Sequence, residues 1–317
     1  MPPREADFSR LTTVPVSGRA NKVNRSLLAD PPGSDRSFTA FLGSLPDILA
    51  ARDLRAVING VAGAARSGRG LVLLLGGHVV KVGLGPLVNL WIERGIVTHV
   101  AMNGAAAIHD YELAAFGGTS EDVESGLADG TFGMAEETGA EMNAAISEAH
   151  RCDEGMGEGL GRALAARAEC PGESASILLA CRRHGVPLTV HTTVGAEITH
   201  QHPAADGAAI GATSHRDFRR LAGSLPALDE GGAVLNWGSA VVLPEVFLKA
   251  LTVARNLEQG RPTRFLAADF DMQRHYRPRV NVVQRPTRGG GQGLMLTGHH
   301  EIMMPLVVWG VVEAIGA

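Results

Sequence analysis

Hydrophobic runs that end in small or polar residues are the dominant pattern of this chain. Leu71–Leu75 and residues 96–102 are two such runs, and a segment with helical spacing and a glycine stop lies between them. This order predicts a strand–helix–strand unit with parallel strands. Because open α/β sheets bind ligands at the carboxyl ends of their strands, the pattern also predicts a site after these two strands.

The same alternation continues along most of the chain. Further strands are predicted over residues 186–193, 233–236 and 265–269, with helical segments between them, and a helix is predicted over 306–315. Such an order predicts an α/β fold, with a doubly wound, mostly parallel sheet and helices on both faces. Residues 1–36 are rich in Pro, Arg, Ser and Asp, so we expect an N-terminal arm there and a single α/β domain over 37–317.

The charge and cysteine content of the chain limit the kinds of molecule that it is expected to bind. The formal net charge is −4 and the pI is near 6.3, which does not favour nucleic acid or an anionic membrane as a partner. The 3 cysteines lack C-x-x-C spacing, and no apolar run reaches the length of a membrane span. We therefore expect a cytoplasmic protein that binds a small molecule.

Polar residues follow the second predicted strand. Asn103 and Gly104 come at its end, and His109 and Asp110 lie one to two helical turns further on. Small residues at 104–107, among them Ala105, would let a ligand approach the backbone closely. The alternative is a capped helix start with no ligand. We expect His109 as a base, with Asp110 in the same catalytic group.

Lys81 is one of only three lysines in the chain and is predicted in a loop between strand and helix. A desolvated lysine there could form an imine or bind a phosphate. The alternative is a surface lysine whose stem lies over apolar neighbours.

Three histidines and one carboxylate fall within sixteen residues: His191, His200, His202 and Asp206. This composition could ligate zinc or iron, or it could line a polar pocket without metal. His200 is a second candidate for a catalytic base. Asp206 followed by glycine is a separate candidate for a hydrogen bond to a ribose or an amine.

Other predicted strand ends repeat the small and polar pattern. The glycines after the first strand do not form a clean G-x-G-x-x-G, so that loop alone indicates a nucleotide only weakly. Because several predicted strands end in small or polar residues, we expect these ends to form one shared ligand-binding crevice. The candidate residues at these ends are Gly76, Gly77, Gly83, Gly238, Ser239 and Asp271.

At these positions the chain resembles the deoxyhypusine synthase family, over roughly residues 65–312. The segment from Asn103 to Asp110 is similar to the T-G-A-N-x-V-H-D motif of archaeal members. The other matching pieces, in the family's order, are 73–76 with 83–84, 184–187 leading to 206–207, 233–239, and 270–271 with 277–278.

The resemblance implies a doubly wound, NAD-binding fold in homotetramers with sites at dimer interfaces. Members oxidise a polyamine with NAD and pass its aminobutyl group through an enzyme lysine. In this chain the resemblance implies that NAD lies against residues 76–83, Asn103 to Ala105, Asp206, Gly238, Ser239 and Asp271.

The chain departs from the family at the nucleophile. The family's lysine lies in a W-G-K segment, which residues 282–286 replace here with V-V-Q-R-P. Arg285 stays protonated and cannot form an imine at ordinary pH. We therefore expect an NAD-dependent enzyme that removes a hydride from an amine or another small substrate, with possible group transfer, and not authentic deoxyhypusine synthesis. The alternatives are a metal-dependent hydrolase or lyase at the three histidines and a non-catalytic NAD-binding assembly protein.

Overall fold

A sheet of six parallel strands forms the centre of the protein, in a computed structural model that describes residues 2–316. The strands are β1 (Leu71–Leu75), β2 (His99–Asn103), β3 (Leu188–His191), β4 (Ala233–Trp237), β5 (Leu266–Asp271) and β6 (Gln292–Thr297). Their order across the sheet is β3-β2-β1-β4-β5-β6. This order confirms the predicted doubly wound α/β class.

Helices connect the strands and cover both faces of the sheet. They are α1 (Phe38–Ser44), α2 (Leu49–Arg66), α3 (Gly77–Lys81), α4 (Gly85–Glu93), α5 (Gly104–Phe116), α6 (Val123–Asp129), α7 (Glu136–Arg151), α8 (Met156–Ala165), α9 (Ile177–His184), α10 (Gly207–Ser224), α11 (Val242–Leu257), α12 (Arg285–Thr287) and α13 (His300–Ile315). A π-helical segment over Pro278–Gln284 leads into α12.

Two cores hold these layers together. Leu71, Leu73 and Leu75 of β1 point into one core, which helices α2, α4 and α13 share. Val72 and Leu74 point to the other face, into a core with α10 and α11. All five residues of β1 are buried, as expected of a central parallel strand with helices on both faces.

The strand order reverses between β1 and β4, the point at which doubly wound folds bind ligands. Here the two strand ends stay in direct contact, because the amide of Gly76 donates to the carbonyl of Trp237 at 2.8 Å. A methyl group at Gly76 would come within 2.2 Å of the Gly238 carbonyl oxygen. Close backbone approach therefore requires glycine at position 76, whatever binds nearby.

Several boundaries differ from the prediction. Lys81 was expected in a loop, but it is the last residue of α3. The terminal helix begins at His300 and continues through Pro305, because Met304, Val307 and other apolar side chains bury this face against the core. Strand β6 was not predicted, since this edge strand is mostly exposed and follows a run of glycines.

The arm over residues 2–36 contains three single turns of 3₁₀ helix and no strand or α-helix. Its apolar side chains are exposed: Phe8 at 75%, Leu11 at 67% and Val14 at 77%. No helix among the described residues is long and apolar enough to cross a membrane.

Candidate functional site

A cavity of about 200 Å³ lies at the carboxyl edge of the sheet, where β1 leads into α3 and β2 leads into α5. Helices α3 and α5 form one wall, and residues between 120 and 132 together with 196–198 form the rest. Its lining residues are Lys81, Ala105, Ile108, His109, Glu112, Ser120, Glu121, Val123, Phe132, Ala196, Glu197 and Ile198. Five of these carry titratable side chains, so the cavity can take part in proton transfer.

A larger cavity of about 490 Å³ lies at the opposite edge, beside the chain that leads into β3. Glu158, Arg182 and Arg220 are its charged lining residues, and Arg220 already pairs with Glu158 at 2.6 Å. We place the candidate site in the smaller cavity, because doubly wound folds bind ligands at the carboxyl ends of the strands.

The structure brings two predicted catalytic residues, Lys81 and His109, to the same cavity. Burial lowers the pKa of His109 to about 4, and the positive charge of Lys81 acts in the same direction. His109 is therefore neutral at physiological pH and has one nitrogen free to accept a proton. Lys81 is exposed at the end of α3, not held in an apolar setting.

His109 is hydrogen-bonded to residues that the sequence did not single out. Its Nδ1 atom lies 2.7 Å from the hydroxyl of Thr119. That hydroxyl donates to Oε2 of Glu112, and the hydroxyl of Thr138 donates to Oε1 of the same carboxylate at 2.9 Å. Nothing in the sequence pattern links Thr119 to His109, since a loop separates Thr119 from the end of α5.

Glu197 is a second carboxylate that the sequence did not indicate. It receives the amide N–H of Thr193 at 2.9 Å and lies 3.1 Å from Nδ1 of His200. Burial raises the pKa of Glu197 and lowers the pKa of His200. His200, a predicted base, therefore lies behind Glu197 and does not line the cavity itself.

Asp110 was predicted in the catalytic group, but the structure places it elsewhere. Its carboxylate is 1% exposed and accepts the amides of Ile177 and Leu178 at 2.8 and 3.0 Å, and the hydroxyl of Ser176 at 2.8 Å. These are the groups at the start of α9, so Asp110 caps that helix from α5. We leave it out of the catalytic group for this reason.

The predicted cofactor residues form more than one group. Gly238, with φ +68°, and Ser239 follow β4 beside Gly76, at the reversal of the strand order. Asp271 ends β5, and its charge acts on His300, whose ring covers Gly238. His300 is 1% exposed and its Nδ1 has no hydrogen-bond partner.

Other predicted cofactor residues lie near α5. Asn103 caps that helix by accepting the amide of Ala106, and Gly104 and Ala105 are its first residues. Gly77 packs against the side of α5, where a methyl group would lie 3.0 Å from Cβ of Ala105. These residues are therefore held next to the cavity.

Two predicted cofactor residues have local structural roles. Gly83 follows α3 in a left-handed turn with φ +79°, where a side chain would be strained. Asp206 caps α10, because its carboxylate accepts the amides of Ala208 and Ala209.

The predicted histidine cluster does not converge. His191 bonds to the hydroxyl of Thr189 at 3.0 Å, His200 approaches Glu197, and His202 accepts the amide of Ala204. Over residues 2–316, no group of three or more histidine, cysteine or acidic side chains has the arrangement of a metal site. The geometry therefore gives no support to metal-dependent chemistry at these histidines.

Solved structures match this chain at the level of the fold. ArgZ, an arginine dihydrolase from the ornithine–ammonia cycle in cyanobacteria, matches 84% of the chain with a TM-score of 0.50 and 13% identity. AgrE, solved with ornithine and NAD+, matches 83% of the chain with a TM-score of 0.49 and 15% identity. A candidate deoxyhypusine synthase from Entamoeba histolytica matches 86% of the chain with a TM-score of 0.48 and 10% identity. The last of these carries the name of the family that the sequence resembles.

The likeness to ArgZ, at a TM-score of 0.50 and 13% identity, shows the fold alone. The chain spans 33% of ArgZ and 34% of AgrE, and 92% of the Entamoeba protein. Comparison of the sequence with protein-family models gives no match, and comparison with curated proteins gives none. Function must therefore be argued from the site.

Proposed function

We propose that this protein is an NAD-dependent enzyme that oxidises a small amine in the cavity beside α5. One observation carries the proposal. Neutral His109 and several carboxylates line the same cavity, and this cavity lies at the carboxyl edge of a doubly wound sheet. The strand order is that of doubly wound folds, which bind ligands at the carboxyl edge of the sheet, and the cavity lies at this edge.

The lining of the cavity favours a cationic, partly aliphatic substrate. Glu112, Glu121 and Glu197 supply carboxylates, and Lys81 is the one lysine or arginine in the lining. Apolar side chains lie between them, those of Ile108, Val123 and Ile198 among others. A protonated amine at the end of a short carbon chain complements both features.

Residues at the strand reversal fit a dinucleotide. His300 faces Gly238 with Nε2, while its Nδ1 is buried and has no hydrogen-bond partner, so a polar ligand group could satisfy Nδ1. Asp271 at the end of β5 is the candidate for a ribose hydroxyl, since a carboxylate accepts such hydrogen bonds. When bound, NAD supplies the acceptor for a hydride.

The chain's own residues then handle the substrate and one proton. Besides the hydride that a bound NAD would accept, oxidation of a C–N centre releases a proton from nitrogen, which a base of the chain must take. His109 is the neutral base in the cavity, and Glu197 and Glu121 hold the charged end of the substrate. Lys81 is exposed, so we propose direct oxidation without an imine on this lysine.

The experiment follows nicotinamide reduction by its fluorescence with aliphatic monoamines, diamines and polyamines, and with matched alcohols as controls. We expect turnover with an amine, a loss of about 100-fold or more in His109→Gln, and retained turnover in Lys81→Arg. NAD binding without reduction by any amine would instead support a non-catalytic NAD-binding protein. Full turnover in His109→Gln would remove His109 as the base.

A further inference from the structure

We propose that Thr119 and Glu112 are positioning residues that fix the proton of neutral His109 on Nδ1 and leave Nε2 as its basic atom. The inference rests on the proposed function only in that it assigns the atom of His109 that takes the substrate proton. The arrangement of hydrogen bonds itself does not depend on any substrate.

The direction of the hydrogen bonds follows from counting protons. Glu112 as a carboxylate can only accept, so the single proton of the Thr119 hydroxyl points to Glu112 Oε2. Thr119 Oγ1 must then accept from its other close neighbour, Nδ1 of His109 at 2.7 Å. Neutral His109 therefore carries its hydrogen on Nδ1, and the lone pair lies on Nε2.

Thr119 is needed as the bridge. Nδ1 of His109 lies 4.0 Å from Glu112 Oε2, too far for a direct hydrogen bond. Thr138 holds the other oxygen of Glu112 at 2.9 Å, so the carboxylate is fixed at both ends. The side chains of His109 and Glu112 are only 17% and 13% exposed, which limits competition from water.

The hydrogen bonds through Thr119 also offset the cost of a positive charge on His109. Burial and the charge of Lys81 both oppose a positive charge on His109, which makes it a weak base when isolated. The negative charge of Glu112, relayed through Thr119, stabilises the imidazolium as the proton arrives at Nε2. Glu121 and Glu197 also line the cavity and add negative charge near the ring.

The test reads the tautomer directly from the ring nitrogen shifts of ¹⁵N-histidine-labelled protein, with the His109 signals assigned from His109→Gln. We expect the Nδ1–H form in the wild-type chain and in Thr119→Ser, which keeps the hydroxyl. Thr119→Val should lose the bridge and shift His109 towards the Nε2–H form. Thermal unfolding of both variants checks that each is folded.

Two results would overturn the proposal: an Nε2–H form in the wild-type chain, or an unchanged tautomer in folded Thr119→Val. Where an amine substrate has been found, kcat should fall by about tenfold or more in Thr119→Val with little change in KM, and Thr119→Ser should remain near wild type. An unchanged kcat in Thr119→Val would also count against it. Since the tautomer needs no substrate, a failed search for amine oxidation leaves this test intact.

Discussion

The carboxylate of Glu197 lies directly against the α-carbon of Gly104, the first residue of α5. A methyl group at position 104 would come within 2.3 Å of both Cγ and Oε1 of Glu197. Glu197 is 9% exposed and is held by the amide of Thr193. One wall of the candidate cavity therefore depends on the absence of a side chain at Gly104.

This contact predicts that Gly104→Ala displaces the segment 192–201. Alanine normally stabilises a helix relative to glycine by up to about 1 kcal/mol, but here the clash with Glu197 should reverse the sign. Hydrogen exchange should rise in this segment. Gly207→Ala is the matched control, because Gly207 is the first residue of α10 and has open space around it. Equal behaviour of the two variants would contradict this view of the cavity wall.

Asp110 should be a stability residue. Asp110→Ala would leave three buried donors at the start of α9 without a partner, and we expect a loss of about 3 kcal/mol or more in the free energy of unfolding. Asp206→Ala, which removes an exposed cap from α10, should cost about 1 kcal/mol. Denaturant unfolding measures both. A loss at Asp110 no larger than that at Asp206 would show that the cap of α9 is weak.

Asp217 should make stability depend on pH. Burial raises its pKa to about 7, whereas its usual value is 3.8. The folded state holds this proton to a higher pH than the unfolded state does. The free energy of unfolding of the wild-type protein should therefore fall as the pH rises from about 4 to about 7. The free energy of unfolding of Asp217→Asn, relative to wild type, should therefore rise across this interval.

If the difference in stability between Asp217→Asn and wild type stayed flat over this pH interval, the carboxyl of Asp217 would be ionised in the folded protein throughout.

The exposed apolar side chains of the N-terminal arm lead us to expect that the protein self-associates. Exposed apolar side chains such as Phe8 and Val14 make no core within their own chain, so we expect them to pack against a second copy in a homo-oligomer, with a tetramer as the expected size. Light scattering should give a mass above 33.2 kDa. Removal of residues 2–28 should weaken assembly without unfolding the sheet. A monomer at micromolar concentration would contradict this expectation.

The sequence predicted the sheet well because its signal is local. β1, β2, β4 and β5 are short, mostly apolar segments; β1, β4 and β5 are buried along their whole length, and β2 is buried in all but its last residue. β6 has no such signal, since its first residues are exposed on the edge of the sheet. The predicted helix over 306–315 was too short, since packing of the surrounding apolar residues keeps α13 continuous from His300 through Pro305.

The site was only partly predictable, because its contacts join distant parts of the chain. His109 could be chosen from its place after β2, but no local pattern shows that Thr119 bonds to it or that Glu197 covers Gly104. Asp110 and Asp206 show why a carboxylate is ambiguous in a sequence. Each was a candidate for chemistry, and in the structure each caps the start of a helix, a role that calls for the same residue type.

Calorimetric titration of the wild-type protein with NAD tests most directly whether this chain binds NAD at the carboxyl edge of its sheet. Substitution of Gly76 or Gly238 would not serve, since a side chain at Gly76 would clash with the Gly238 carbonyl and one at Gly238 would clash with His300. We expect saturable binding of one NAD per chain with a Kd of about 1 mM or tighter, weakened in Asp271→Asn. No heat of binding at millimolar NAD, with the protein folded by circular dichroism, would contradict the account.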